Sequence, residues 1–153
     1  MLDTPRAFCL VAGSAEADTR LTAFDRALLE AGIGNVNLLK VSSILPPKAV
    51  EATRLRIPPG SLVPTAYGAM TSEHHGELIA AAVAVGIGDD DDYGVIMEFS
   101  GRASREEAEA TVRAMVEDAF RYRERTLRRV AVRAVEHRVE QIGCALAACV
   151  LWY

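Results

Sequence analysis

Asn35-Val36-Asn37-Leu38-Leu39-Lys40-Val41-Ser42-Ser43-Ile44-Leu45-Pro46-Pro47 is an apolar, strand-like run closed by two serines and stopped by two prolines. Proline has no N–H to offer a sheet ladder, so strand pairing must stop or bend here. A serine at so abrupt a stop can be placed where its hydroxyl reaches the preceding carbonyl, a geometry that allows the chain to cut itself. The same pattern also describes an ordinary strand end capped by two hydroxyls. The residues alone leave both readings open.

Working outward, residues 6–12 (Arg-Ala-Phe-Cys-Leu-Val-Ala) read as a buried strand, being short, apolar and partly β-branched. A helix is expected from about Thr19 to Ala31, with Leu21, Phe24, Leu28 and Ala31 at helical spacing and Gly32 as its stop. Asn35 to Val41 forms the next strand. Residues 46–61, rich in Pro, Gly and Arg, read as a long loop or arm. Leu62 to Met70 is strand-like but broken by Pro64 and Gly68. Leu78 to Ile87 mixes helix-favouring alanines with valines and flanking glycines, and we read it as a strand. Asp89 to Asp92 is an acidic turn and Tyr93 to Ser100 a strand. Ser104, with Glu107 three residues on, opens a long helix whose apolar face is Ala108, Val112, Met115, Ala119 and Phe120. Leu127 to Val139 alternates as a half-buried strand, and Ile142 to Tyr153 is a last apolar strand. This order predicts an α+β fold in which two helices cover sheet faces.

The totals narrow the function classes. A chain of 153 residues suits one domain with a real core. A net charge of −4 argues against a general nucleic-acid surface. The arginines from Arg121 to Arg129, interleaved with Glu124, read as a solvated helix end. No run is long and apolar enough to span a bilayer. Leu10-Val11-Ala12 is too short, and too closely preceded by Asp3, for a secretory signal. Cys9, Cys144 and Cys149 lie in apolar surroundings without a Cys-x-x-Cys pair, so they read as buried free thiols in a reducing, cytoplasmic setting. Only two lysines occur, Lys40 and Lys48. Neither follows a phosphate-cradling glycine loop, so a pyridoxal-phosphate site is not expected. His74 and His75 are adjacent, which in a strand points them to opposite faces, so no metal is expected. The high apolar content for so small a domain suggests oligomerisation.

Three further residues carry possible chemistry. Glu98 interrupts the apolar run Val95-Ile96-Met97-Glu98-Phe99 and shares a strand face with Ile96 and Ser100. A buried carboxyl without a cationic partner is pushed upward in pKa and can serve as a general acid. Alternatively, Glu98 faces solvent or pairs with an arginine. Asp25 borders the apolar stripe of the first helix and suits a guanidinium, whose fork donates two hydrogen bonds to a carboxylate. The alternative is an aspartate paired with Arg20 or Arg26. Asn37 falls on the strand face of Leu39, Val41 and Ser43, where an amide could donate to a developing oxyanion. It reads equally as a satisfied strand or turn asparagine.

Together these stretches resemble the pyruvoyl-dependent arginine decarboxylase family. The resemblance rests on Leu21-Thr22-Ala23-Phe24-Asp25, on Gly32-Ile33-Gly34-Asn35-Val36-Asn37-Leu38 and on Val41-Ser42-Ser43-Ile44-Leu45-Pro46-Pro47. It continues through Gly60 to Ala69 and Val95 to Gly101. It implies a single domain, 1–153, folded as a layered αββα sandwich of mainly antiparallel sheets flanked by helices, like the pyruvoyl-dependent histidine decarboxylases. It implies self-cleavage between Ser42 and Ser43. The Ser43 hydroxyl attacks the Ser42 carbonyl, an N-to-O acyl shift gives an ester, and β-elimination frees a β chain, 1–42, from an α chain, 43–153. The dehydroalanine left at position 43 becomes a covalent pyruvoyl group, which takes the substrate amine as an imine in place of pyridoxal phosphate. It further implies L-arginine as substrate, agmatine and CO2 as products, and no metal. Glu98 is then the proton donor, Asn37 an aid at the pyruvoyl site and Asp25 the guanidinium partner. The expected assembly is a homotrimer of αβ protomers with active sites between neighbours. Two other readings remain: a pyruvoyl decarboxylase of another amino acid, or an uncleaved trimer that only binds a ligand.

Overall fold

A computed structural model describes residues 2–153. The elements run β1 (Ala7–Glu16), α1 (Arg20–Glu30), β2 (Asn37–Lys40), β3 (Ile44–Leu45), β4 (Val50–Glu51), β5 (Leu62–Ser72), β6 (Leu78–Ile87), β7 (Gly94–Arg102), α2 (Arg105–Tyr122), β8 (Arg129–Arg138) and β9 (Gly143–Trp152). Strand alternation divides the apolar residues between two faces of each sheet, and that division builds four layers.

The first sheet has the order β2-β5-β9-β1-β4 and the second β3-β7-β6-β8. All pairings are antiparallel except β1 with β4 and β2 with β5. Between the sheets lies one core, with Phe8, Leu10, Ala66, Ala147 and Cys149 of the first sheet facing Ile79, Val83, Val85 and Ile96 of the second. The opposite face of the first sheet, including Val63, Leu146, Ala148 and Val150, is covered by Ala23, Ala27 and Leu28 of α1. The opposite face of the second sheet is covered by α2 through Ala108, Val112, Val116, Ala119 and Phe120. The result is the αββα sandwich expected from the sequence.

Both helices begin on side-chain caps. The Thr19 hydroxyl accepts from the Thr22 amide at 3.1 Å, and the Ser104 hydroxyl accepts from the Glu107 amide at 3.1 Å. Each cap satisfies a backbone donor that the helix itself leaves open, worth about 1 kcal/mol. Gly32, at φ +82°, takes the left-handed turn that ends α1.

Several sequence expectations shift. Leu21 is 75% exposed, so α1 packs through its alanines and Leu28 instead of Leu21. On α2, Val116 is buried while Met115 remains at the surface. The arm 46–61 contains a short strand, β4, that pairs parallel to β1. Pro64 does not break β5. It precedes Thr65, the first residue paired with β9, so its missing donor falls outside that ladder. β6 is a strand because both its faces are buried: Ala80, Ala82 and Ala84 under α2, and Ile79, Ala81, Val83 and Val85 against the first sheet. Helix propensity yields to that two-sided packing. Arg125 departs from the solvated reading of its run. Its side chain is largely buried, pairs with Asp92 at 2.9 Å and lies over the Tyr93 ring at 4.1 Å.

Candidate active site

The chain changes sheets at the two serines. Lys40 closes β2 opposite Thr65, and the Val41 amide donates to the Thr65 carbonyl at 3.1 Å, so the chain up to Val41 belongs to the first sheet. The Ile96 amide donates to the Ser43 carbonyl at 2.7 Å, and Ile44 and Leu45 then pair with Val95 and Gly94 of β7 in the second sheet. The Ser42–Ser43 peptide therefore spans the gap between the layers, with each side tethered to a different sheet. This changes the meaning of the proline stop, because Pro46 and Pro47 end a strand that has already moved to the second layer.

Continuing the register from Ile44↔Val95 places Ser43 beside Ile96. Paired residues point to the same face, and so do residues two apart on one strand. Glu98 is thus the next side chain along β7 on the face of Ser43 and Ile96, about 7 Å further on at strand rise. Ile96 points into the core between the sheets, and Glu98 follows it. A Cβ built on Gly68 of β5 would lie 3.5 Å from the Glu98 Cγ and 3.2 Å from the Phe99 carbonyl oxygen. The glycine in β5 lets β7 come close and gives the carboxyl its place. Burial pushes the Glu98 carboxyl above its ordinary range, and the Lys40 ammonium pulls it partly back. Glu98 forms none of the ion pairs found among the described residues, so the arginine-paired alternative fails. The electrostatics are those of an acid able to hold a proton at higher pH than an exposed glutamate.

The other candidates stand further apart. Asn37 opens β2, and its side-chain amide donates to the Gly60 carbonyl at 3.1 Å. The strand face it was expected to share with Ser43 ends at Lys40, because the chain leaves the first sheet there. Asp25 is exposed on α1. The two arginines weighed as its partners are engaged elsewhere: Arg20 with Glu73 and the Thr71 carbonyl, Arg26 with the Glu16 carbonyl. α1 covers the outer face of the first sheet while Glu98 faces the inner one, so the sheet separates Asp25 from Glu98 within one chain.

A profile of the family described as pyruvoyl-dependent arginine decarboxylase matches residues 7–153. The chain is 52% identical over 150 residues to the pyruvoyl-dependent arginine decarboxylase of Methanocaldococcus jannaschii, covering 97% of this chain and 91% of that one. It is 41% identical over 152 residues to the protein of the same name from Pyrococcus horikoshii, covering 98% and 96%. This chain belongs to the pyruvoyl-dependent arginine decarboxylase family. Membership accounts for the αββα frame, and a pyruvoyl group is the prosthetic group that the family's description names.

Within this family frame, the sequence reading had passed over three site features. Gly68 was taken for a strand break, whereas it is the contact point of β5 and β7. Lys40, not expected to hold a cofactor, is a lone cation two residues before the serine pair. Cys149, buried in β9, has its thiol pushed upward by burial and further by Glu98, which places it among the groups around the carboxyl. All three cysteines are free and buried. His74 and His75 take different partners, Glu77 at 3.8 Å and the Glu140 carbonyl at 2.8 Å. No helix among the described residues is long and apolar enough to cross a membrane. A cavity of about 840 Å3 between α1 and the arm, lined by Cys9, Gly32, Asn35, Arg54 and Ile57 among others, contains none of Ser43, Glu98, Asp25 or Asn37. Ser43 and Glu98 therefore lie at the β2–β3 edge of the sandwich, outside that cavity.

Proposed function

We propose that this protein converts L-arginine to agmatine and CO2 with a pyruvoyl group made from its own Ser43. The observation that carries the reading is the placement of a desolvated carboxyl, Glu98, on the face of the strand that anchors Ser43. The residues fit the group. Residue 43 is a serine, as the conversion requires, and its carbonyl is fixed by the Ile96 amide. The Ser42–Ser43 bond crosses between two sheets that hold its ends independently, so cleavage into 1–42 and 43–153 leaves both new termini anchored by strand pairing.

When present, the pyruvoyl group supplies a ketone that captures the substrate's α-amine and a carbonyl that accepts electrons as CO2 leaves. The chain's own part is to bind, orient and protonate. Glu98 keeps its proton because burial disfavours its ionised form, and it delivers that proton to the carbon that has lost its carboxylate. It is recharged from solvent. Asn37, held against Gly60 at the start of β2, is assigned as the supporting amide at the pyruvoyl group. Asp25 holds the guanidinium through a charge-assisted, two-pronged contact.

Because the first sheet stands between Asp25 and Glu98, that contact requires a neighbouring copy to bring its α1 to the β2–β3 edge. The surface there supports such an assembly: Leu39 is 43% exposed, Ile44 43% and Leu62 62%. We assign the working unit as a trimer of αβ protomers with sites between neighbours. The three buried free thiols support a reducing, cytoplasmic setting. Neither pyridoxal phosphate nor a metal takes part in this scheme.

Intact mass combined with CO2 release across a panel of amino acids tests the reading. Two chains and release from arginine are expected. A single unbroken chain without release would leave only a ligand-binding role, and release from another amino acid would reassign the substrate.

A further inference from the structure

We propose that Lys40 is a positioning residue for the reaction, holding its ammonium against the Tyr67–Gly68 peptide so that it sets the pH range over which Glu98 donates its proton. The inference rests on the role given to Glu98 above. Its geometry comes from two contacts on one stretch of β5. Lys40 Nζ donates to the Tyr67 carbonyl at 2.9 Å and lies 4.3 Å from the centroid of the Tyr67 ring. The next residue, Gly68, is the point where Glu98 packs across from β7. The ammonium and the carboxyl thus approach the same peptide unit from different strands. The Tyr67 contacts fix a side chain that would otherwise sample many rotamers. A fixed cation acts on a half-buried acid more strongly than a mobile one screened by water.

The groups around Glu98 leave this task to Lys40. From β8, Arg133 lies on the same face one strand beyond, since both it and Glu98 pair with Val83, but its influence is felt at Cys9. From β9, Cys149 is held as a neutral thiol by burial. From β4, Glu51 is paired with Arg129 at 2.8 Å. From β5, the residues packed here are Ala66, Gly68 and Met70, none of them titratable. Two opposing influences thus act on Glu98: burial raises its carboxyl and the Lys40 ammonium lowers it. Without the lysine, the acid would hold its proton to higher pH, and the proton would also be harder to give up.

The test is the pH profile of kcat for Lys40→Met and Lys40→Arg, measured per mole of chain shown by intact mass to be cleaved. Deprotonation of Glu98 ends activity on the alkaline side. Lys40→Met is therefore expected to move the alkaline limb upward by about one pH unit, while Lys40→Arg keeps it near the wild-type position. A second measurement needs no variant: raising the salt concentration should shift the wild-type limb in the same direction and leave the Lys40→Met limb in place. An alkaline limb unmoved in Lys40→Met and insensitive to salt would overturn the role of Lys40 while leaving Glu98 as the donor. Near-normal turnover in Glu98→Gln would instead overturn the reading on which this role rests.

Discussion

The two long edges of the sandwich are joined in opposite ways. At the β4–β8 edge, side-chain contacts to carboxylates tie the sheets together. Glu16 at the end of β1 meets His137 of β8 at 2.5 Å and accepts from the Gln141 amide at 2.8 Å, while Glu51 of β4 meets Arg129 of β8 at 2.8 Å. At the β2–β3 edge the tie is one peptide bond, Ser42–Ser43, with Glu98 beside it. The two glutamates differ accordingly. Burial pushes Glu16 upward, but the amides of Gln141 and Glu140 and the His137 ring outweigh it, so its carboxyl sits below its ordinary range. Burial pushes Glu98 upward too, and a single lysine only partly opposes it. Partial burial alone does not make a carboxyl an acid catalyst; the number of donors facing it decides. At one edge several donors hold the carboxyl ionised, and at the other burial favours the protonated form.

The strongest way to break this comparison is Ser43→Ala. Without the hydroxyl, the chain should remain one piece by intact mass and release no CO2, and two chains would refute the assigned bond. Next comes Glu98→Gln, which should still cleave yet lose about 10²- to 10⁴-fold in kcat, the usual contribution of a positioned acid. Stopped assays of CO2 release would show whether the proton comes from elsewhere. Asp25→Ala should raise KM for arginine about ten- to a hundredfold, the scale of a lost charged hydrogen bond. An unchanged KM would move the guanidinium site.

The smallest effects sharpen the contrast between the glutamates through thermal unfolding of the cleaved protein. Glu16 has its folded pKa depressed below 4.5, so its contribution to stability is present above 4.5 and is lost as pH falls through the depressed value. Glu16→Gln should lower Tm at neutral pH, with the deficit shrinking in acid. Glu98 has its folded pKa raised above 4.5, so stability is lost as pH rises from 4.5 through the raised value. Glu98→Gln should raise Tm at neutral pH and leave it unchanged below 4.5. Shifts of the same sign in both variants would erase the distinction.

Much of this arrangement is legible from local chemistry. The strand runs, the Ser104 cap of α2, the apolar β7 interrupted by Glu98 and the serine pair before two prolines all depend on neighbours within a few residues. The site's partners were less visible. Lys40 lies far along the chain from Glu98, and they approach each other only because β5 stands between β2 and β9 and Gly68 admits β7. The shared face assumed for Asn37 and Ser43 failed because the strand period stops where the chain changes layers.

From the sequence by itself came the α+β class, the αββα resemblance, the candidate scissile pair and the suspicion attached to Glu98, since periodicity and proline chemistry act locally. Only the tertiary structure decided that Ser42–Ser43 spans two sheets, that Gly68 is a contact and not a break, and that Glu98 faces one lysine instead of a cluster of donors. These are relations across the gap between sheets, set by packing and register between residues distant in the chain, and no local pattern encodes them.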